Sequence, residues 1–126
     1  MFDLETRPSP YGHAETVARV EREIEQRGAT VYSRVDHARN AADAGLQMPP
    51  TVVLTFGNPR GGTLVMLEAP EAAYLLPLHV LIREHEGQTL VQYRRPDLFA
   101  ADFGIQDQTV APLQVIDDIV AAAVRT

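Results

Sequence analysis

Residues 51–78 read TVVLTFGNPRGGTLVMLEAPEAAYLLPL. The first six are too uniformly apolar for a strand with one wet face, and they predict a strand covered on both sides. Gly57-Asn58-Pro59 then turns the chain: glycine and asparagine tolerate unusual backbone angles, and proline fixes the exit. A helix from about Gly62 carries Leu64, Val65, Leu67 and then Ala72, with Pro70 breaking it into two pieces. Leu76-Pro77-Leu78 heads the next strand.

Downstream, residues 78–84 and 89–94 alternate around Glu86-Gly87, a two-residue turn with glycine second, which predicts an antiparallel hairpin. Setting His85 opposite Gln88 places Ile82 opposite Val91 and Val80 opposite Tyr93, so that side faces the core. The other side carries His79, Leu81, Arg83, Leu90, Gln92 and Arg94. Leu81 and Leu90 among Arg83 and Arg94 suit the apolar centre and polar rim of a two-fold interface. The plainer reading is a solvated face with two ordinary exposed leucines. Beyond Pro96 a short helix over 97–103 ends at Gly104, and a last helix over 112–124 repeats Leu113, Ile116, Val120 and Val124.

Upstream, residues 2–6, from Phe2, predict a short first strand before a turn through Pro8, Ser9, Pro10 and Gly12. Val17, Val20 and Ile24 lie on one face of a helix over 13–27, stopped by Gly28. Residues 30–35 alternate as a half-buried strand, with Val31, Ser33 and Val35 on one side and Tyr32 and Arg34 on the other. Asp36 is placed to cap a short alanine-rich helix through Ala44, ended by Gly45. These elements make one α+β domain over residues 1–126, with helices packed on one face of a largely antiparallel, curved sheet.

A chain of 126 residues is long enough to bury a core as a single domain, and its 45% hydrophobic and 22% charged residues are those of a globular protein. A net charge of −6 from 11 basic and 17 acidic residues disfavours nucleic acid as a partner. No apolar run approaches a membrane span and the first residues lack a signal-peptide core, so a cytoplasmic protein with no membrane partner is expected. There is no cysteine and no lysine. Disulfides, thiol nucleophiles, thiolate metal sites, Schiff bases and lysine-bearing phosphate loops are thereby excluded. His13, His37, His79 and His85 show no metal-ligand spacing, and His79 and His85 on one strand lie roughly 20 Å apart; no metal or cofactor is expected.

Phe56-Gly57-Asn58-Pro59, Gly62-Thr63, Leu76-Pro77-Leu78 and Val35-Asp36-His37 with Ala38 and Ala41 resemble the motifs of the domain of unknown function 302 family, over most of the chain as far as about Pro96. The resemblance implies a compact fold similar to the TATA-binding-protein-like layout of strand, helix and curved sheet, and a tendency to dimerise; it implies no established activity. Proteins of this appearance often carry an acidic residue just before the Leu-Pro-Leu unit, where this chain has Leu75.

Three functional readings follow. A strand entering a glycine-rich turn and a helix start presents unpaired N–H groups, and Arg60 adds charge, so Gly57, Asn58, Arg60, Gly62 and Thr63, with His37, could hold a phosphate or carboxylate. The bland alternative is that these residues only shape a turn, since the lysine and spacing of a phosphate loop are missing. A non-catalytic small-ligand or anion-binding accessory module, acting as a homodimer, is the leading expectation. The second reading is an enzyme, hydrolytic in the first instance, using His37 as base near Asn58 and Arg60, an imidazole being able to serve near neutral pH; no catalytic set is assigned, because Ser33 and Thr55 lack an evident base and third group. The third is a structural protein-interaction module with an uncovered apolar patch.

Overall fold

Antiparallel pairing throughout the described residues decides this architecture: the strands run in the order β1-β5-β4-β3-β2, each antiparallel to its neighbours. The computed structural model describes residues 3–126. The strands are β1 Glu5–Ser9, β2 Thr30–Asp36, β3 Thr51–Gly57, β4 Leu78–His85 and β5 Gln88–Tyr93, and the helices are α1 His13–Gln26, α2 His37–Asp43, α3 Pro59–Glu68, α4 Pro96–Phe103, α5 Asp107–Val110 and α6 Val115–Ala123. Two 3-10 segments, Pro70–Leu75 and Ala111–Gln114, join them. This is the expected α+β domain.

The inner face of the sheet is closed by α1 and α6. Val17, Val20 and Ile24 from α1 and Ile116, Ile119 and Val120 from α6 are buried against Val52, Leu54 and Phe56 of β3 and their neighbours on β4 and β5. Tyr93 joins them with its hydroxyl donating to Asp117 Oδ1 on α6. Burial first, and that bond second, hold its phenol above the ordinary range. A second, smaller core of Val65, Ala72, Phe99, Ile105, Val110 and Leu113 lies beyond the end of the sheet where β3 leaves and β4 begins.

The hairpin has the register derived above, with His85 opposite Gln88 and Ile82 opposite Val91. Helix ends also follow the sequence. After α1, the Ala29 N–H reaches Ile24 O and the Gly28 N–H reaches Glu25 O, a double closure that Gly28 permits by its φ of +77°.

Several expectations are corrected. The first strand is Glu5–Ser9 and includes Pro8; Phe2 lies outside the described residues. An edge strand has one open side on which a missing N–H removes nothing from the ladder, so Pro8 does not end it. In β2 the register shifts between Val31 and Ser33, leaving Tyr32 unpaired as a bulge. Val31 lies opposite inward Phe56, whereas Ser33 and Val35 lie opposite outward Thr55 and Val53. The simple alternation fails because the extra residue flips the remainder of the strand, and Arg34 is turned toward α1, where it pairs with Glu21 at 3.3 Å. β3 is not covered on both sides: Val52, Leu54 and Phe56 are buried, but Thr51, Val53 and Thr55 are only half-buried. The last helix starts at Val115, because Pro112 falls in the 3-10 segment that hands Leu113 to the smaller core and leaves the α6 stripe to the larger one.

Candidate functional site

The turn from β3 into α3 is built on Asn58. Its backbone is extended and its Oδ1 accepts the Arg60 N–H at 3.0 Å, capping a helix whose first residue is Pro59. Oδ1 is committed to the cap, and Nδ2 makes no hydrogen bond to another of the described residues of this exposed turn.

Two clefts flank this residue. One, of about 270 Å³, lies between Tyr32, Asn58, Thr63, Met66 and the Leu76–Pro77 bond, which is cis. The other, of about 290 Å³, lies between Asn58, Arg60, Leu64, Arg27 and Pro112. Phe56, Gly57, Leu78 and Leu113 belong to both, so they form one apolar floor with Asn58 standing across it. Neither cleft has an acidic residue in its lining, while Arg27 and Arg60 stand at the second. Arg27 is engaged by Glu23 at 3.3 Å. The Arg60 guanidinium, Asn58 Nδ2, Tyr32 hydroxyl and Thr63 hydroxyl have no hydrogen-bond or ion-pair partner among the described residues.

Gly61 and Gly62 are the third and fourth residues of α3, at the end of its first turn, and a glycine inside a helix costs about 0.5–1 kcal/mol relative to alanine. Close packing does not require them. A Cβ on Gly61 would meet Pro112 at 3.5 Å and one on Gly62 would meet Leu76 at 4.0 Å, both ordinary contacts. Their effect is to keep the cleft walls low.

The far end of α3 positions the cleft's other wall. Glu68 accepts the Gln106 N–H at 2.6 Å and the Thr109 hydroxyl at 2.7 Å, tying α3 to the start of α5 and hence to the segment bearing Pro112 and Leu113. The Thr109 bond first, and the Gln106 bond second, lower the carboxyl's pKa.

Gly57, Asn58, Arg60, Gly62 and Thr63 are thus brought together, and all nine residues of the FGNP, GT and LPL motifs line one cleft or the other with Arg60 alongside Pro59. His37 is not among them. It follows Asp36, which pairs with Val52, whereas Gly57 pairs with Thr30 at the other end of β3, on the order of 17 Å away. Asp36 Oδ1 accepts the Arg39 N–H at 2.9 Å, the capping role expected for it. Sequence reasoning missed Tyr32, Leu113 and Arg27; a bulge cannot be read from alternation, and the other two reach the site through tertiary packing alone.

Leu81, Arg83, Leu90 and Arg94 share the outer face of the sheet, as derived, and all four are half-buried. Arg83 donates to Gln92, which donates to Thr6, forming a polar ladder across three strands. Arg94 pairs with Asp102. Leu81, His79 and Arg94 line a third cleft, of about 340 Å³, overhung by Leu75, Pro96 and Phe99.

The family model described as "Domain of unknown function DUF302" matches residues 5–123. Among curated proteins the chain is similar to the fluoride-specific ion channel FluC 1 of Brucella suis biovar 1 (strain 1330), 40% identical over 81 residues that make up 64% of this chain and 32% of that protein. The same identity and length hold for FluC 1 of Brucella abortus biovar 1 (strain 9-941), of which 30% is covered. The chain therefore spans about a third of the length of the curated relatives it matches. Among solved structures, the uncharacterized conserved protein DUF302 from Bacillus stearothermophilus superposes with a TM-score of 0.81 at 23% identity, covering 98% of this chain and 96% of that one; the likeness is one of fold.

Proposed function

The chain belongs to the DUF302 family, and on that premise we propose that it is a non-catalytic binding module whose small ligand sits in the paired clefts around Asn58. One observation carries this reading: motif residues separated in sequence, from Phe56 to Leu78, converge on an apolar floor ringed by polar groups that have no partner among the described residues. A concave apolar site with a few convergent polar groups is the usual form of a small-molecule site. The paired glycines of α3 support it, because their cost in helix stability leaves open space where packing would accept a side chain. The enzymatic alternative loses its base, since His37 sits at the opposite end of β3.

The test is native mass spectrometry of protein purified gently from cells. A co-purifying small molecule is expected, and Gly62→Leu, which fills the cleft, should abolish it. Protein that carries nothing before or after the substitution, and whose cleft amides respond to no metabolite in solution, would overturn the reading.

In this proposal the module works as a homodimer through the outer sheet face. Half-buried Leu81 and Leu90 beside Arg83 and Arg94 support that arrangement. Leu81→Arg should shift the sedimenting species to monomer mass; unchanged mass would move the interface elsewhere.

An accessory role beside a membrane channel has one observation of its own. The fluoride-channel proteins contain a stretch like 81 residues of this chain, and that stretch makes up about a third of their own length, while no helix among the described residues is long and apolar enough to cross a membrane. A module of this kind would act next to a channel, not as one. Fluoride efflux measured with and without the module present tests it; identical efflux would remove this reading.

A further inference from the structure

We propose that the ligand is an apolar carboxylate: its hydrocarbon body lies on the Phe56–Leu78–Leu113 floor and its carboxylate meets Arg60 and the Asn58 amide. This deepens the binding reading above and rests on it. The choice of chemistry follows from what the clefts contain and what they lack.

The protein carries a net charge of −6, with 17 acidic residues against 11 basic ones, yet neither cleft is lined by an acidic side chain. The charged groups present are Arg27 and Arg60, and Arg60 has no ion-pair partner among the described residues. On a surface this acidic, an acid-free trough with an uncommitted guanidinium is complementary to an anion. Small inorganic anions fit it poorly. Phosphate would need donors on most sides to replace its hydration, and the walls beside Arg60 are chiefly Phe56, Leu64, Leu78, Pro112 and Leu113. A neutral hydrocarbon would leave Arg60 and Asn58 Nδ2 unused. The combined space, two clefts of about 270 and 290 Å³ sharing one floor, suits a body of several carbons with one charged end.

Asn58 supplies the means of testing this without breaking the fold. Its Oδ1 caps α3, and aspartate caps a helix equally well, so Asn58→Asp keeps the helix start while replacing a donor by a negative charge. Arg60→Gln removes the cation from an exposed position.

The experiment is titration of the ¹⁵N-labelled protein with octanoate, 1-octanol and inorganic phosphate, following backbone amide shifts. Octanoate should move the amides of Gly57, Asn58, Gly62 and Thr63 and bind about tenfold or more tightly than 1-octanol, the worth of a charge-assisted hydrogen bond. Arg60→Gln and Asn58→Asp should weaken octanoate by about tenfold and 1-octanol by much less, because the alcohol loses only a neutral hydrogen bond. Equal binding of octanoate and 1-octanol, or octanoate binding indifferent to Arg60→Gln, would overturn the carboxylate while keeping the cleft as a binding site. Phosphate saturating the same amides more tightly than octanoate would also overturn it. Failure of all three probes to move those amides, with shifts absent or confined to the Leu81 face, would overturn the carboxylate and the cleft together.

Discussion

The two ends of β3 are written in the same local grammar and do different work. At one end Asp36 closes β2 and caps α2 through the Arg39 N–H; at the other Asn58 closes β3 and caps α3 through the Arg60 N–H. Both caps are strand-to-helix turns with a side-chain oxygen on an early helical amide. What differs is the setting. α2 buries none of its residues, whereas α3 buries Gly61 and Val65 and stands between two clefts and the second core. A cap is a local device, so its presence says nothing about function; the surroundings that fold over it do.

The largest test of this contrast is at the inward positions of β3. Phe56, fully buried and forming the cleft floor, should cost about 3–5 kcal/mol on change to alanine. Val52, which lies near the α2 end, should cost roughly 2 kcal/mol. Chemical denaturation measures both. Equal losses would mean that the cleft end is no more tightly built than the other.

Removing the caps separates stability from binding. Asp36→Ala and Asn58→Ala should each lose about 1 kcal/mol, readable as similar shifts in the denaturation midpoint, but only Asn58→Ala should change the response to an added ligand. Gly62→Ala sharpens the point from the other side. Its Cβ has room, so the variant should gain about 0.5–1 kcal/mol, whereas a loss of stability would show that glycine is needed there for the fold.

The smallest expected effect is a matter of pH. Glu68 has its carboxyl pKa lowered by the Thr109 hydroxyl and the Gln106 N–H, so the clamp it makes is fully present above the unfolded-state value and is lost as pH falls through the lowered folded one. Glu68→Gln should therefore flatten the acid side of the stability profile, below the ordinary value of 4.5, and leave the neutral region with a lower plateau. An unchanged acid limb would show that the bond to α5 carries no linkage.

Much of this was legible in residue order. The hairpin register followed from a glycine turn and period-two alternation, and the cap at Asp36 from its place before an alanine-rich stretch. The outer-face grouping of Leu81, Arg83, Leu90 and Arg94 followed from the same arithmetic, because each of these signals is carried by residues close in sequence. The site was half legible. The 57–63 turn announced itself, but Leu113 enters it from 50 residues away through packing, and Tyr32 through an unpaired bulge residue that no pattern of polarity marks. His37 was misplaced for the converse reason: neighbours in a motif need not be neighbours in space, and a strand's length separates it from Gly57.

The strand order has a consequence for the order of assembly. β4 and β5 meet across a two-residue turn, whereas β1 must wait for a partner that follows it by more than 80 residues, as Thr6 opposite Gln92 shows. Long closures are slow to form. No wall of the paired clefts comes from β1 or β5 among the described residues, so the seam with the longest closure lies on the far side from the pocket, and the walls around Asn58 can be assembled before β1 is added.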